Sequence, residues 1–459
     1  MEQSQVAVIM VPLPCQSHLN QLLQLSEQIS DHGIPVHFIG SATHNRQAKL
    51  RANGLNTNAM AKIYFHDLPS PPIAAIDPNP NALDKTPVHL WPATLTYMNF
   101  REPIGTLIKD LSFKASRIVI IHDRLTAETV QDAVLIPNAE SYAFNCLSAF
   151  NLFLILWEIT GKKFEVGEEE LENLPSAKEF YPEGTLRFIA SKTEYLKHRA
   201  GDIDNTIRGI EGTYIDLLAR EEIRGNKKQW AIRPRLPVKL SSTNDSKSKH
   251  KCLEWLDKQA PKSVIFISFG TTTSLSNEEA RDIAMGLEES EQKFIWVLRD
   301  ADKADIFAGE ARKIELPGGF EERMEGVGIV LRDWAPQLEI LAHKSTGGFM
   351  SHCGWNSCLE SIAMGVPIAA WPMHSDQPLN AIFLTEILKV GITEREWTQK
   401  EEPVKASTIK NVVERLMASE EGDEIRKRAE ELGIKVRESM DEGGDSRKEL
   451  DSFIAHITR

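Results

Sequence analysis

Apolar and polar positions along this chain fall into two alternating periods. Short, largely apolar runs at residues 6–11, 117–121, 264–269, 294–298, 348–350 and 366–370 have the length and composition of strands buried on both faces. Between them the apolar residues recur at helical spacing. Leu19, Leu22, Leu23 and Ile29, with Leu25 beside them, predict a helix after a loop over 12–17. Further helices are predicted from about Trp355, from Asp376, over 406–417 and over 424–439. Strands alternating with helices predict parallel sheets covered on both faces, and the absence of a fixed-period repeat argues against a solenoid or propeller.

The same pattern suggests where the chain divides. A polar run at 240–251, LSSTNDSKSKHK, has the composition of a solvated linker. Two large units are therefore expected, 1–245 and 246–440, followed by a last helix within 441–459 whose Leu450, Phe453 and Ile454 form an apolar stripe that could pack back on the first unit. The Pro-rich stretch 69–81 is expected as a long loop bordering a cleft between the units. Glu168 to Glu170 and the pair Lys227 and Lys228 are expected as solvated faces.

Candidate chemistry gathers where strands end. In an open parallel sheet, ligands bind beyond the carboxyl ends of the strands, so polar residues in those loops carry the signal. His18 follows the first predicted strand at a helix start, where the helix dipole disfavours imidazolium and leaves a neutral base. Asp123 ends the strand 117–121 and is the natural partner for an imidazole, although an ion pair with Arg124 is an alternative.

In the second unit, Gly270 and Thr271 end a strand and can offer an amide and a hydroxyl to phosphate. Trp334, with Ala335 and Pro336 behind it, presents an indole for a flat heterocycle, and Gln337 offers an amide. His352, Cys353, Gly354, Trp355, Asn356 and Ser357 join a strand to a helix: Gly354 is expected to make the tight turn, and the helix N-terminus to hold an anion. Glu360 lies one turn beyond Asn356, and Asp376 with Gln377 opens the next helix. Aromatic face, anion cradle and hydroxyl clamp, in that order, describe a site for a nucleoside diphosphate sugar.

Charge and cysteines narrow the class. The 459 residues carry 53 basic and 66 acidic side chains, a net charge of −13, with no basic stripe of the kind that nucleic-acid binding requires. No run reaches membrane-spanning length, and the start MEQSQ lacks a signal peptide's positive region. Five widely spread cysteines fit reduced thiols in the cytoplasm, where the Asn244 sequon would stay idle. His343, His352, Cys353, Cys358 and His374 crowd one segment without a zinc spacing. Two Asp-x-Asp runs, Asp202 to Asp204 and Asp300 to Asp302, raise a rival reading as a transferase that holds its donor through a divalent cation.

The segment from Trp334 to Gln377 resembles the signature box of the plant family 1 UDP-glycosyltransferases in its Trp-Ala-Pro-Gln start, His-Cys-Gly-Trp-Asn-Ser centre and Asp-Gln end. That resemblance implies a GT-B fold of two Rossmann-like domains, with a UDP-sugar donor and a small hydroxylated acceptor as its partners, acting as a monomer with no metal and no other cofactor. It further implies that Trp334 stacks uracil, that Gln337 and Glu360 hold ribose, and that His352, Asn356 and Ser357 hold the diphosphate. Trp355, Asp376 and Gln377 would contact the sugar, and a final Gln is usual for glucose donors. Pro14 to His18 is similar to the family's base loop, with Ser17 where a Gly is usual, which makes His18 the general base and Asp123 its assistant.

Cys358 and His374, together with Trp255 to Gln259, Phe266 to Thr273 and Ala304 to Gly309, resemble the zeatin O-glycosyltransferase branch. That branch implies a cytokinin side-chain hydroxyl as acceptor. Iridoid, terpenoid and flavonoid acceptors and a xylosyl donor stay open. Two other classes are weighed against this reading: a silent UDP-sugar sensor would not need His18, and a dinucleotide oxidoreductase would need glycines that the loop 12–18 lacks.

Overall fold

The computed structural model describes residues 4–52, 55–74, 76–161, 175–233, 250–393, 397–400 and 402–459. Residues 240–249 of the expected linker, the domain boundary at 245, the Asn244 sequon and Glu168 to Glu170 lie outside the described residues, and the last linker residue, Lys251, already starts a helix, Lys251–Leu256.

Seven parallel strands form the first sheet: β1 (Ser4–Val11), β2 (Val36–Ser41), β3 (Ile63–Leu68), β4 (Ala115–Asp123), β5 (Ala139–Asn145), β6 (Gly201–Asp204) and β7 (Lys228–Ala231), in the order β3-β2-β1-β4-β5-β6-β7. Six more form the second: β8 (Val264–Ser268), β9 (Lys293–Val297), β10 (Gly328–Leu331), β11 (Thr346–Ser351), β12 (Ile368–Ala370) and β13 (Gly391–Thr393), in the order β10-β9-β8-β11-β12-β13. Each sheet reverses its winding once, between β1 and β4 and between β8 and β11. Those two seams are the crevices in which a doubly wound sheet holds ligands.

Strand alternation explains why both faces are covered. On β1, Val6, Val8 and Met10 pack with Leu19, Leu22 and Leu23 of the helix Gln16–Asp31, while Ala7, Ile9 and Val11 face Tyr97, Ile104 and Ile108 on the other side. The second sheet repeats the arrangement. Val264 and Phe266 meet Phe349 and Leu359, with the Phe266 and Phe349 rings stacked at 5.0 Å, whereas Ile265 and Ile267 meet Ile283, Leu287 and Ile409. Burial of each such side chain contributes about 1.5–3 kcal/mol, so these seams are rigid platforms for the loops above them.

The helix Asn277–Ser290 starts at a reciprocal cap in which the Ser276 hydroxyl accepts from the Glu279 N–H and Glu279 accepts from the Ser276 N–H. The last helix, Asp445–Ile457, buries Leu450, Phe453 and Ile457 against the first sheet, with the Phe453 ring 5.1 Å from Trp230 and 5.4 Å from Tyr142. Among the described residues no helix is long and apolar enough to cross a membrane.

Candidate active site

At the first seam the helix Gln16–Asp31 begins two residues earlier than the pattern predicts, so His18 stands in its first turn rather than ahead of it. Asp123 is the last residue of β4. Their side chains meet, His18 Nδ1 lying 2.6 Å from Asp123 Oδ2 across 105 residues of sequence. The Leu125 N–H donates to the other carboxylate oxygen at 2.8 Å, and the Cys146 thiol donates to Oδ2 at 3.1 Å. Burial works against the Asp123 charge, but His18 and these donors outweigh it and hold the carboxyl below its ordinary range. Arg124 points elsewhere, toward Asp202 at 3.9 Å.

Burial also disfavours the imidazolium of His18, yet the Asp123 carboxylate in contact raises its pKa above the ordinary value. The expected push of the imidazole toward neutrality by the helix dipole is not the net result. A helix N-terminus carries about half a charge, and a full carboxylate charge at hydrogen-bond distance outweighs it. With Nδ1 engaged, Nε2 is the nitrogen left to face a substrate. Ser17 is exposed, and its carbonyl accepts from Asn356 Nδ2 at 3.1 Å, a contact between the two halves.

At the second seam the loop after β11 leads into the helix Trp355–Met364. The tight turn falls on Cys353, at φ +62°, while Gly354 is extended at φ −60°. Gly354 is required for another reason: a Cβ there would lie 2.7 Å from His352 Nε2, and one at Gly270, across the seam, would lie 2.5 Å from the same atom. His352 is wedged between two glycines. Burial pushes its pKa down to about 4, so at neutral pH it can donate a hydrogen bond but carries no charge. Its buried Nδ1 has no partner among the described residues. Thr271 sits beside it, its carbonyl accepting from the Asp302 N–H at 2.7 Å.

The remaining residues fall into four groups. Gln337 Nε2 donates to Glu360 Oε2 at 2.8 Å and to Ser357 Oγ at 3.1 Å, which places Ser357 with the expected ribose pair rather than with His352. Burial raises the Glu360 carboxyl above its usual range. Trp334 is half-exposed next to Ala335, and one face is taken by the Arg51 guanidinium at 4.7 Å, itself bridged to Asp302 at 2.6 Å. Trp355 is buried and its indole N–H goes to the Asn205 carbonyl at 2.8 Å. Gln377 Oε1 accepts the Met373 and His374 N–H groups at 2.9 and 3.1 Å. Asp376 caps the helix Gln377–Ile382, its carboxylate accepting from Asn380 Nδ2 at 2.7 Å, and burial raises its pKa.

Both seams open into one cavity of about 880 Å³ that is lined by all of these donor-side residues and by His18 and Asp123. Its first-half wall includes an apolar stretch, with Trp91 edge-on to Phe188 at 5.4 Å, and with Leu125, Leu152, Ile155 and Tyr181. Among the described residues of 69–81 none lines it; Thr86 and Pro87 do. Cys146, Arg51, Trp91 and Phe188 went unread in the sequence. Cys146 alone left a signal, since it follows β5, the strand beside Asp123.

Ligand sets for a metal are sparse. Among the described residues only His18, Asp123 and Cys146 bring three such atoms within 4.8 Å of one another, so His343, His352, Cys353, Cys358 and His374 do not converge. Both Asp-x-Asp runs are held by arginines. Asp204 pairs with Arg224 and Asp202 with Arg199, at 2.7 and 2.8 Å, while Asp302 pairs with Arg51 and Arg299 and Asp300 faces Arg312 at 3.5 Å.

Residues 4–237 match the family described as glycosyltransferase, N-terminal domain, and residues 194–415 match UDP-glucoronosyl and UDP-glucosyl transferase. A zeatin O-glucosyltransferase of Phaseolus lunatus is 52% identical over 100% of this chain and 98% of its own. A zeatin O-xylosyltransferase of Phaseolus vulgaris is 50% identical over 100% and 99%. The fold superposes on a Phytolacca americana UGT complexed with UDP-2fluoro-glucose and pterostilbene, with a TM-score of 0.80, 25% identity and coverage of 99% and 100%. It also superposes on a Medicago truncatula UGT complexed with UDP-glucose, at 0.76 and 26%, covering 99% of each chain. With two parallel sheets facing one cavity and likeness along its whole length, the chain belongs to the UDP-glycosyltransferase family and has its GT-B fold.

Proposed function

We propose that this enzyme transfers glucose from UDP-glucose to the side-chain hydroxyl of a zeatin-type cytokinin, inverting the anomeric carbon without a metal ion. The observation that carries the reading is the His18–Asp123 pair, set at 2.6 Å in the wall of the same cavity as the second-seam residues. His18 Nε2 takes the proton of the acceptor hydroxyl as that oxygen attacks C1 from the face opposite UDP. Asp123 steadies the imidazolium through Nδ1. General-base help of this kind contributes roughly 10²- to 10⁴-fold in rate.

On the donor side, Gln337, Ser357 and Glu360 suit the ribose and Trp334 the uracil, which would displace the Arg51 guanidinium from the indole face. His352, Asn356, Thr271 and the N–H groups after Gly354 suit the diphosphate, with Asp376, Gln377 and the Trp355 backbone toward the sugar. Neutral donors and a helix N-terminus stabilise the departing diphosphate, the role a divalent cation plays elsewhere. The arginine pairing of both Asp-x-Asp runs supports the same view.

A purine with a hydroxylated isoprenoid tail matches an apolar wall that carries an edge-to-face aromatic pair, and the zeatin O-glucosyltransferase at 52% identity supports that acceptor. The xylosyl relative at 50% makes UDP-xylose the second donor to try. All five cysteines are free thiols, which suits the cytoplasm. The test is an assay with trans-zeatin and either UDP-glucose or UDP-xylose in excess EDTA, with the product identified by mass. The reading expects undiminished formation of the O-glucoside. No conversion of zeatin, or activity abolished by EDTA, would contradict it.

A further inference from the structure

Asp376 belongs to the second half, yet the first half reaches its carbonyl directly and its carboxylate through Asn380. Its backbone carbonyl accepts from Asn151 Nδ2 at 3.0 Å. Its carboxylate accepts from Asn380 Nδ2 at 2.7 Å, and Asn380 Oδ1 in turn accepts from the Ser148 hydroxyl at 3.0 Å. Ser148 and Asn151 are the cap and first turn of the helix Ala149–Ile159, with the Ser148 hydroxyl accepting from the Asn151 N–H at 3.1 Å. Further along, the same helix presents Leu152 and Ile155 to the cavity. One element thus walls the acceptor side and grips a residue of the donor side.

The Asn151 amide works in only one orientation. The Asp376 carbonyl can only accept, so the Asn151 NH₂ group must face it, which turns Oδ1 to the buried Tyr181 hydroxyl, a donor at 2.7 Å. The helix start is itself anchored, since Glu211 accepts the N–H groups of Ala149 and Phe150 at 2.9 and 2.8 Å. The links through Ser148, Tyr181 and Glu211 are buried and the two to Asp376 partly so, and an unpaired partner there is costly, which favours this one arrangement.

We propose that Tyr181 and Asn151 are positioning residues that set Asp376 for the donor's sugar, carrying the hold on the sugar from the acceptor wall across to the second half. This rests on Asp376 contacting the sugar. Tyr181 also lines the cavity, so a plain wall role makes the opposite prediction: its loss would change acceptor affinity and leave the donor alone.

The experiment compares Tyr181→Phe, Asn151→Leu and Asp376→Ala with wild type for UDP-glucose KM, acceptor KM, kcat and inhibition by UDP, which lacks the sugar. Tyr181→Phe should raise the UDP-glucose KM roughly three- to tenfold, with UDP inhibition and acceptor KM unchanged. Asn151→Leu should do the same more strongly, and Tyr181→Phe decides the matter if Asn151→Leu fails to fold. A Tyr181→Phe effect confined to acceptor KM, or weaker UDP inhibition matching the loss of UDP-glucose, overturns the proposal. If Asp376→Ala raises the UDP-glucose KM while Tyr181→Phe does not, the relay alone is wrong. If Asp376→Ala leaves that KM unchanged, the sugar assignment of Asp376 fails and the relay with it.

Discussion

The seam between β1 and β4 and the seam between β8 and β11 are built alike and equipped differently. Each lies at the point where a parallel sheet reverses its winding, and each feeds a helix from its carboxyl edge. The first holds a histidine–carboxylate pair, His18 and Asp123, whose carboxylate already has every oxygen occupied from within the protein. The second holds neutral donors, a histidine kept uncharged by burial, and two glycines that leave room for nothing larger than hydrogen beside it. On the proposed roles, one fold supports proton transfer at one seam and anion binding at the other, and the difference resides in side chains, not topology.

Substitutions can break that division of labour. The largest effect is expected from His18→Ala, which should lower kcat by roughly 10²- to 10⁴-fold in steady-state assays while leaving the UDP-glucose KM near wild type. Asp123→Asn comes next, with kcat down roughly 10²-fold and a displaced pH profile. His18 must be neutral to act, and Asp123 holds its pKa above the ordinary value, so wild-type activity rises with pH through that raised pKa. Removing the carboxylate should move the acid limb to lower pH.

Gly354→Ala should act on binding instead. Its Cβ would meet His352 Nε2 at 2.7 Å, and a UDP-glucose KM raised roughly tenfold or more, with a smaller change in kcat, is the expected readout. Glu360→Gln should be mildest, raising the same KM a few-fold, since it keeps the shape but weakens an acceptor of ribose hydroxyls. A change in acceptor KM alone for Gly354→Ala or Glu360→Gln would blur the comparison.

How much of this was legible in the sequence follows from how local each feature is. Strand and helix alternation depends on periods of two and 3.6, so the runs at 6–11, 264–269 and 348–350 became β1, β8 and β11 with small shifts at their ends. Loops after those strands were readable because parallel sheets place their ligands there. The direction of the His18 pKa was not, because it depends on a carboxylate 105 residues away rather than on the local dipole. Gly354 was singled out for a turn that Cys353 makes, since only coordinates reveal the His352 ring beside it. Trp355 and Ser357 were sorted by their place in the signature box, but their bonds to Asn205 and Gln337 belong to the packing of distant segments. Arg51 over Trp334 gave no sequence signal at all, being an ordinary charged residue at a helix end.

Calorimetric titration of UDP-glucose into His18→Ala and Gly354→Ala proteins, side by side with wild type, tests the division between the seams most directly. The account predicts wild-type affinity for His18→Ala, which should hardly turn over, and weakened affinity for Gly354→Ala. Equal loss of donor affinity in both, or substantial turnover by His18→Ala, would contradict it.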